Sequence, residues 1–151
     1  MAINTVQQKV LVIHGPNLNL LGQREPEIYG TETLESINRM LEHIAERHNI
    51  QLTCYQSNHE GEIIDRIQAA IDTMDGLIIN PGGYTHTSIA IRDTLVASPK
   101  PIVEVHISNI FNRETFRSES VIAPVVTGTI SGLGVDSYRL ALLWMIKHLE
   151  A

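Results

Sequence analysis

Two periods of apolar residues alternate along the 151-residue chain. Short runs rich in Val and Ile, at Lys9 to Ile13, Gln51 to Gln56, Gly76 to Ile79 and Ile102 to Ile107, read as strands. Between them, apolar residues recur at helical spacing. Leu34, Ile37, Leu41 and Ile44 form one stripe, and Val135, Tyr138, Leu142, Met145 and Leu149 form another. Ser57 stands three residues before Glu60, a capping-box spacing that predicts a helix opening there, with Ile63, Ile64, Ile67, Ile71 and Met74 inward. A further helix is predicted from about Thr87 to Ala97, closed by Ser98-Pro99-Lys100-Pro101. A short helical segment follows around Asn112 to Phe116. The fifth strand is placed within Val121 to Ile130, with Val125 and Val126 as its safest members and Pro124 marking an irregular start or an edge. Strands alternating with helices imply a parallel sheet covered on both faces. With right-handed crossovers, the expected α/β fold is a flavodoxin-like, doubly wound, five-stranded parallel sheet of order 2-1-3-4-5.

Composition narrows the class. The length suits one domain over residues 1–151, large enough to bury a core without staples. The charge of −6 and the scattered basic residues argue against nucleic acid as a partner. MAINTVQQK lacks the apolar stretch of a signal peptide, and no apolar run is long enough for a bilayer, so neither secretion nor a membrane partner is expected. Cys54, the one cysteine, lies inside the second strand and reads as a small buried hydrophobe.

In a sheet of this kind, ligands bind beyond the carboxyl ends of the strands, at the switch in strand order. Polar residues gather there. His14, Asn17, Arg24 and Tyr29 follow strand one; Asn80, Gly82, Gly83, Thr85 and His86 follow strand three; Glu104, His106, Ser108, Asn109, Arg113 and Arg117 end or follow strand four. The turn HGPNLN carries neither GxGxxG nor a P-loop, and Ile79-Asn80-Pro81 offers no phosphorylatable aspartate. The serine and threonine loop of a flavin-mononucleotide module is missing after strand one. Gly128, Gly132 and Gly134 precede the last helix, where an anion cradle and a plain tight turn are equally good readings. No HExxH or Cys/His cluster suggests a metal, and His43, His48 and His148 fall on helices as solvated residues. His86 and His106 are placed to meet in space. Lys9, Lys100 and Lys147 sit away from the binding end, which argues against imine chemistry. A hydrolase pairing His106 with Ser108 ranks low, on the expectation that the two side chains point apart.

Three segments carry a resemblance. HGPNLNLLGQREPEIYG (14–30), INPGGYTHTSIAIRD (79–93) and VEVHISNIFNRETFR (103–117) closely resemble the motifs of type II 3-dehydroquinate dehydratases. The likeness runs from about Val10 to the last helix. It departs at Gly83, where alanine is common, and at Ser118-Glu119, where basic or aromatic residues are frequent. The resemblance implies a cytoplasmic, cofactor-free and metal-free lyase of the shikimate pathway. Its reaction is trans elimination of water from 3-dehydroquinate, through an enolate, to 3-dehydroshikimate. It further implies that Tyr29 is the base at C2, with Arg24 lowering its pKa. Asn17 holds a water on the enolate oxygen, His106 protonates the leaving C1 hydroxyl, and Glu104 supports His106. Asn80, His86, Ile107, Ser108 and Arg117 bind substrate. Asp93 reaches a neighbouring subunit's site, in a homododecamer built from trimers.

Physical chemistry agrees with that assignment. An unperturbed tyrosine, with a pKa near ~10, is ionised in only about one molecule in a thousand at neutral pH. Burial alone would raise that pKa further, so a nearby arginine is needed to lower it. Taken without the resemblance, Tyr138 is core, Asp93 is a solvated helix residue, Arg113 is structural or a rim charge, and Arg117 is a fair carboxylate clamp.

Overall fold

The run Lys-Val-Leu-Val-Ile folds as the centre of β1 (Gln8–His14), where Val10 to Ile13 are almost fully buried. A strand buried on both faces has no polar alternation to show, which is why it reads as a continuous apolar run. The computed structural model describes residues 6–23 and 25–150, Tyr29 by its backbone alone. Among these, β1 is followed by α1 (Pro26–Tyr29), α2 (Leu34–Arg47), β2 (Ile50–Gln56), α3 (Glu60–Ala70), β3 (Gly76–Asn80), α4 (Ile89–Val96), β4 (Ile102–His106), β5 (Gly128–Ser131) and α5 (Asp136–Glu150).

All pairings are parallel, and the strand order is β2-β1-β3-β4-β5, as the sequence predicts. Side-chain alternation divides the core in two. Val10, Val12, Ile78, Val103 and Val105 face α2 and α5, packing with Ile37, Leu41, Tyr138, Leu142 and Met145. Leu11, Ile13, Leu77, Ile79 and Ile102 face α3 and α4, packing with Ile63, Ile67, Ile91 and Leu95.

Three local expectations change. Ser57 does not form a capping box with Glu60. His59 is the N-cap of α3, and the Ser57 hydroxyl donates to Glu62 at 2.5 Å while accepting from the His59 N–H at 2.9 Å. The fifth strand lies later than Val125 and Val126. Val125 ends a 3₁₀ turn (Ala123–Val125) that contains Pro124, and Val126 caps it. The single helical segment expected near residue 112 is two 3₁₀ turns, Ile110–Asn112 and Thr115–Ser118. Cys54 is half-buried, and desolvation, then the charge of Glu42, pushes its thiol up to about 12, which leaves no thiolate for chemistry.

Candidate active site

A cavity opens where β1, β3 and β4 end, at the point where strand order reverses. Pro16, Asn17, Leu18 and Leu21 line it from the segment after β1. Asn80, Gly82, Gly83 and His86 line it after β3. His106, Ile107, Ser108, Ile110, Arg113 and Arg117 line it at and after β4. His86 and His106 thus share one cavity, as their sequence positions suggest. Arg24 and the side chain of Tyr29 lie outside the described residues. Asp93 is exposed on α4, away from this cavity's lining.

The Glu104 and His106 side chains are both buried and two apart on β4, so they share the face toward α3 and α4. His106 Nε2 lies 2.7 Å from Glu104 Oε2. The Ser120 hydroxyl meets the other carboxylate oxygen, Oε1, at 2.9 Å. Ser120 Oγ accepts from the backbone N–H groups of Ile122 and Ala123 at 3.1 and 2.9 Å, so its own proton is directed to Glu104. With both oxygens of Glu104 accepting, His106 presents Nε2–H to the carboxylate, and Nδ1 is the ring nitrogen left for the cavity.

Residues two apart in a continuing strand share a face, so strand alternation does not drive His106 and Ser108 apart. β4 ends at His106, and each side chain is held by another partner. His106 is engaged by Glu104, and Ser108 Oγ accepts from Arg113 Nη1 at 3.3 Å. Arg113 is therefore more than a rim charge: its side chain is 11% exposed and lines the cavity. Arg117 also lines it, with Nε donating to Glu114 at 2.8 Å and the guanidinium over the Phe116 ring. Glu114, exposed, is held below the usual carboxylate range by its own backbone N–H first and by Arg117 next.

Asn17 takes a left-handed conformation, φ 69°, which asparagine tolerates, and its N–H donates to Asn58 Oδ1 at 2.9 Å. Asn58 is fixed in turn by Gln56 Nε2 and, at its carbonyl, by the Tyr84 hydroxyl. His86 Nδ1 lies 2.6 Å from the Glu119 carbonyl. The glycines before α5 act as a turn. Gly132 and Gly134 N–H groups donate to the carbonyls of His106 and Ile107, which braces the end of β4. Among the described residues, no three His, Cys, Asp or Glu lie together as a metal site, and no helix is long and apolar enough to cross a membrane.

Ser120, Asn58 and Asn38 carry no sequence signal that marks them as site residues, and Arg113 reads there only as structural or a rim charge. Asn38 on α2 accepts from His14, 24 positions away. His14 is fully buried between Asn38 and Tyr138, and desolvation lowers its pKa from 6.5 to about 4, against the opposing bond to Asn38. Between those values the unfolded chain binds a proton that the folded chain refuses, so stability rises with pH through this window. We expect acidification from pH 6.5 to 4 to cost of order 3 kcal/mol through this residue alone. Urea midpoints of wild type and His14→Gln at both pH values check it. Equal pH dependence in the two proteins would show that His14 is not the cause.

A parallel sheet with a buried carboxylate–imidazole pair on β4, its histidine lining the cavity at the switch point, has the parts of an acid–base enzyme. The family model described as Dehydroquinase class II matches residues 8–146, and the chain belongs to that family. It is 58% identical to a 3-dehydroquinate dehydratase of Gloeothece citriformis, over 95% of each protein. With one from Halothermothrix orenii, identity is 59% over 89% of this chain and 90% of the relative. The crystal structure of type II dehydroquinase from Butyrivibrio crossotus superposes with TM-score 0.90 at 50% identity, covering 92% of this chain and 97% of that one.

Proposed function

We propose that this chain is a type II 3-dehydroquinate dehydratase acting in the cytoplasm. It converts 3-dehydroquinate to 3-dehydroshikimate in the shikimate pathway by trans elimination through an enolate. The observation that carries the reading is the buried Glu104–His106 pair, backed by half-buried Ser120 and ending in a cavity at the switch point, within a family match over residues 8–146.

A proton beside a ketone is a weak acid, so its removal needs a strong base and a stabilised enolate. On this reading Tyr29, its phenolate favoured by Arg24, takes the C2 proton. A water on Asn17 steadies the enolate oxygen. His106, its ring orientation set by Glu104, enters this step with both ring nitrogens protonated; it delivers the Nδ1 proton to the C1 hydroxyl, which leaves as water, and keeps its Nε2–H on Glu104. Asn80, His86, the Ile107 backbone, Ser108 and Arg117 hold the substrate. Arg117 already has Nε on Glu114, which leaves its terminal nitrogens for a carboxylate. The test is the ultraviolet absorbance of the conjugated enone formed from 3-dehydroquinate. Folded protein that generates no absorbance would overturn the proposal.

The reading extends to a homo-oligomer, a dodecamer built from trimers, in which exposed Asp93 reaches a neighbouring copy's site. We expect the active species to sediment as an oligomer and Asp93→Ala to lower its turnover. A fully active monomer would rule this out.

A further inference from the structure

A chain of polar side chains runs from the cavity wall into the layer of α2 and α5: Asn80, Tyr138, His14 and Asn38. The first three are buried, and neither Tyr138 nor His14 lines the cavity. One fixed donor sets the direction of every bond. The Gly82 N–H donates to Asn80 Oδ1 at 3.1 Å, and a backbone N–H can only donate. The amide nitrogen of Asn80 therefore faces Tyr138, with Nδ2 donating to the phenol oxygen at 3.0 Å. The Tyr138 oxygen, accepting there, sends its own proton to His14 Nδ1 at 2.9 Å. His14 then carries its proton on Nε2, which donates to Asn38 Oδ1 at 2.8 Å. Reversing one member alone would set donor against donor or acceptor against acceptor.

We propose that Tyr138 and His14 are positioning residues: through this one-directional relay they hold the Asn80 carboxamide so that an N–H, not the oxygen, is its free group toward substrate. The inference rests on the reading of the cavity as the 3-dehydroquinate site. An amide nitrogen has two hydrogens. One is committed to Tyr138, and the second is available where Asn80 lines the cavity. A fixed donor there recognises a carboxylate or carbonyl oxygen. A freely turning amide would accept from a hydroxyl as readily. Burial keeps His14 neutral at physiological pH, so one ring nitrogen donates and the other accepts, as a one-directional relay requires.

The relay is read by ¹⁵N NMR of histidine-labelled protein, with no substrate present. We expect His14 in the wild type to carry its proton on Nε2; a proton on Nδ1 would overturn the proposal. In Asn80→Asp the new carboxylate accepts from both the Gly82 N–H and the Tyr138 hydroxyl. The Tyr138 oxygen must then accept from His14, so Nδ1 gains a proton, and an unchanged Nδ1 signal would count against the relay. The functional half is read in Tyr138→Phe. KM for 3-dehydroquinate should rise roughly tenfold or more, with a smaller fall in kcat. Asn80→Ala should show a comparable loss, and the double variant should add little to it. Lower thermal stability in Tyr138→Phe with unchanged KM, or additive losses in the double variant, would reduce Tyr138 to a packing role. Should Tyr138→Phe not fold, the wild-type tautomer and the Asn80→Asp reversal still decide. A wild type with no turnover would refute the dehydratase reading, while the tautomer measurements judge the relay independently.

Discussion

His106→Ala is expected to lose roughly 10²–10⁴ in net dehydration, yet still exchange the C2 proton of 3-dehydroquinate with deuterated water. The two steps of a stepwise elimination use different groups. On the proposed reading, Tyr29 opens the reaction by taking the proton, and His106 closes it by protonating the leaving hydroxyl. Without the acid, the enolate forms and returns, and each return brings solvent deuterium if the base exchanges with water. Arg24→Ala and Tyr29→Phe should lose both exchange and turnover, because no phenolate is available for the first step. The measurement is proton NMR of 3-dehydroquinate in deuterated buffer, after confirming that each variant binds it. Exchange in the Arg24 variant but not in the His106 variant would reverse the roles. The Ser120 bridge adds a graded version. Ser120→Ala leaves one oxygen of buried Glu104 without its hydroxyl donor, so its effect should resemble a mild loss of His106.

Gly15→Ala should be the most damaging single methyl group in the chain. Gly15 follows β1, and its N–H donates to the Asn80 carbonyl at 2.7 Å. A Cβ at this position would overlap the Pro81 carbonyl and stand 3.0 Å from the Asn80 oxygen. Both neighbours are backbone, so no rotamer change relieves the overlap, and the ends of β1 and β3 must separate. We expect a loss of about 2–4 kcal/mol, a fall in Tm of about 5–15 °C, and activity lost out of proportion because Asn80 moves with its strand. Gly61→Ala is the control. Its Cβ would meet nothing within 4 Å, so thermal unfolding should show it neutral or slightly stabilised. Equal melting temperatures for the two variants would refute the clash.

The sequence made the central strands legible because each must be apolar on both faces, which leaves unbroken Val and Ile runs. It misled at β5. A half-exposed edge strand, Gly-Thr-Ile-Ser, has no apolar requirement strong enough to compete with the nearby Val125-Val126 pair. Ser57 and Glu60 had capping-box spacing, but a buried hydroxyl found a better acceptor in Glu62 two residues on. In the site, residues next to strand ends were readable from their position alone. Ser120 and Asn38 were not, because each acts on a partner 16 or 24 positions away, and no local pattern records such a contact. Arg113 lies within the VEVHISNIFNRETFR segment. Its inward turn, set by Ser108, is a tertiary fact.

The two halves of the core give the site a property that neither half has alone. The relay behind Asn80 lies on the side of α2 and α5, whereas Ser120, Glu104 and His106 lie on the side of α3 and α4. One sheet separates them, and they approach each other only at the cavity. On the proposed roles, the grip on the substrate and the delivery of the proton are thus wired through opposite sides of the molecule. Selection can adjust one without disturbing the other: changes around Tyr138 should retune affinity, changes around Ser120 should retune the acid step, and the two sets should combine nearly additively.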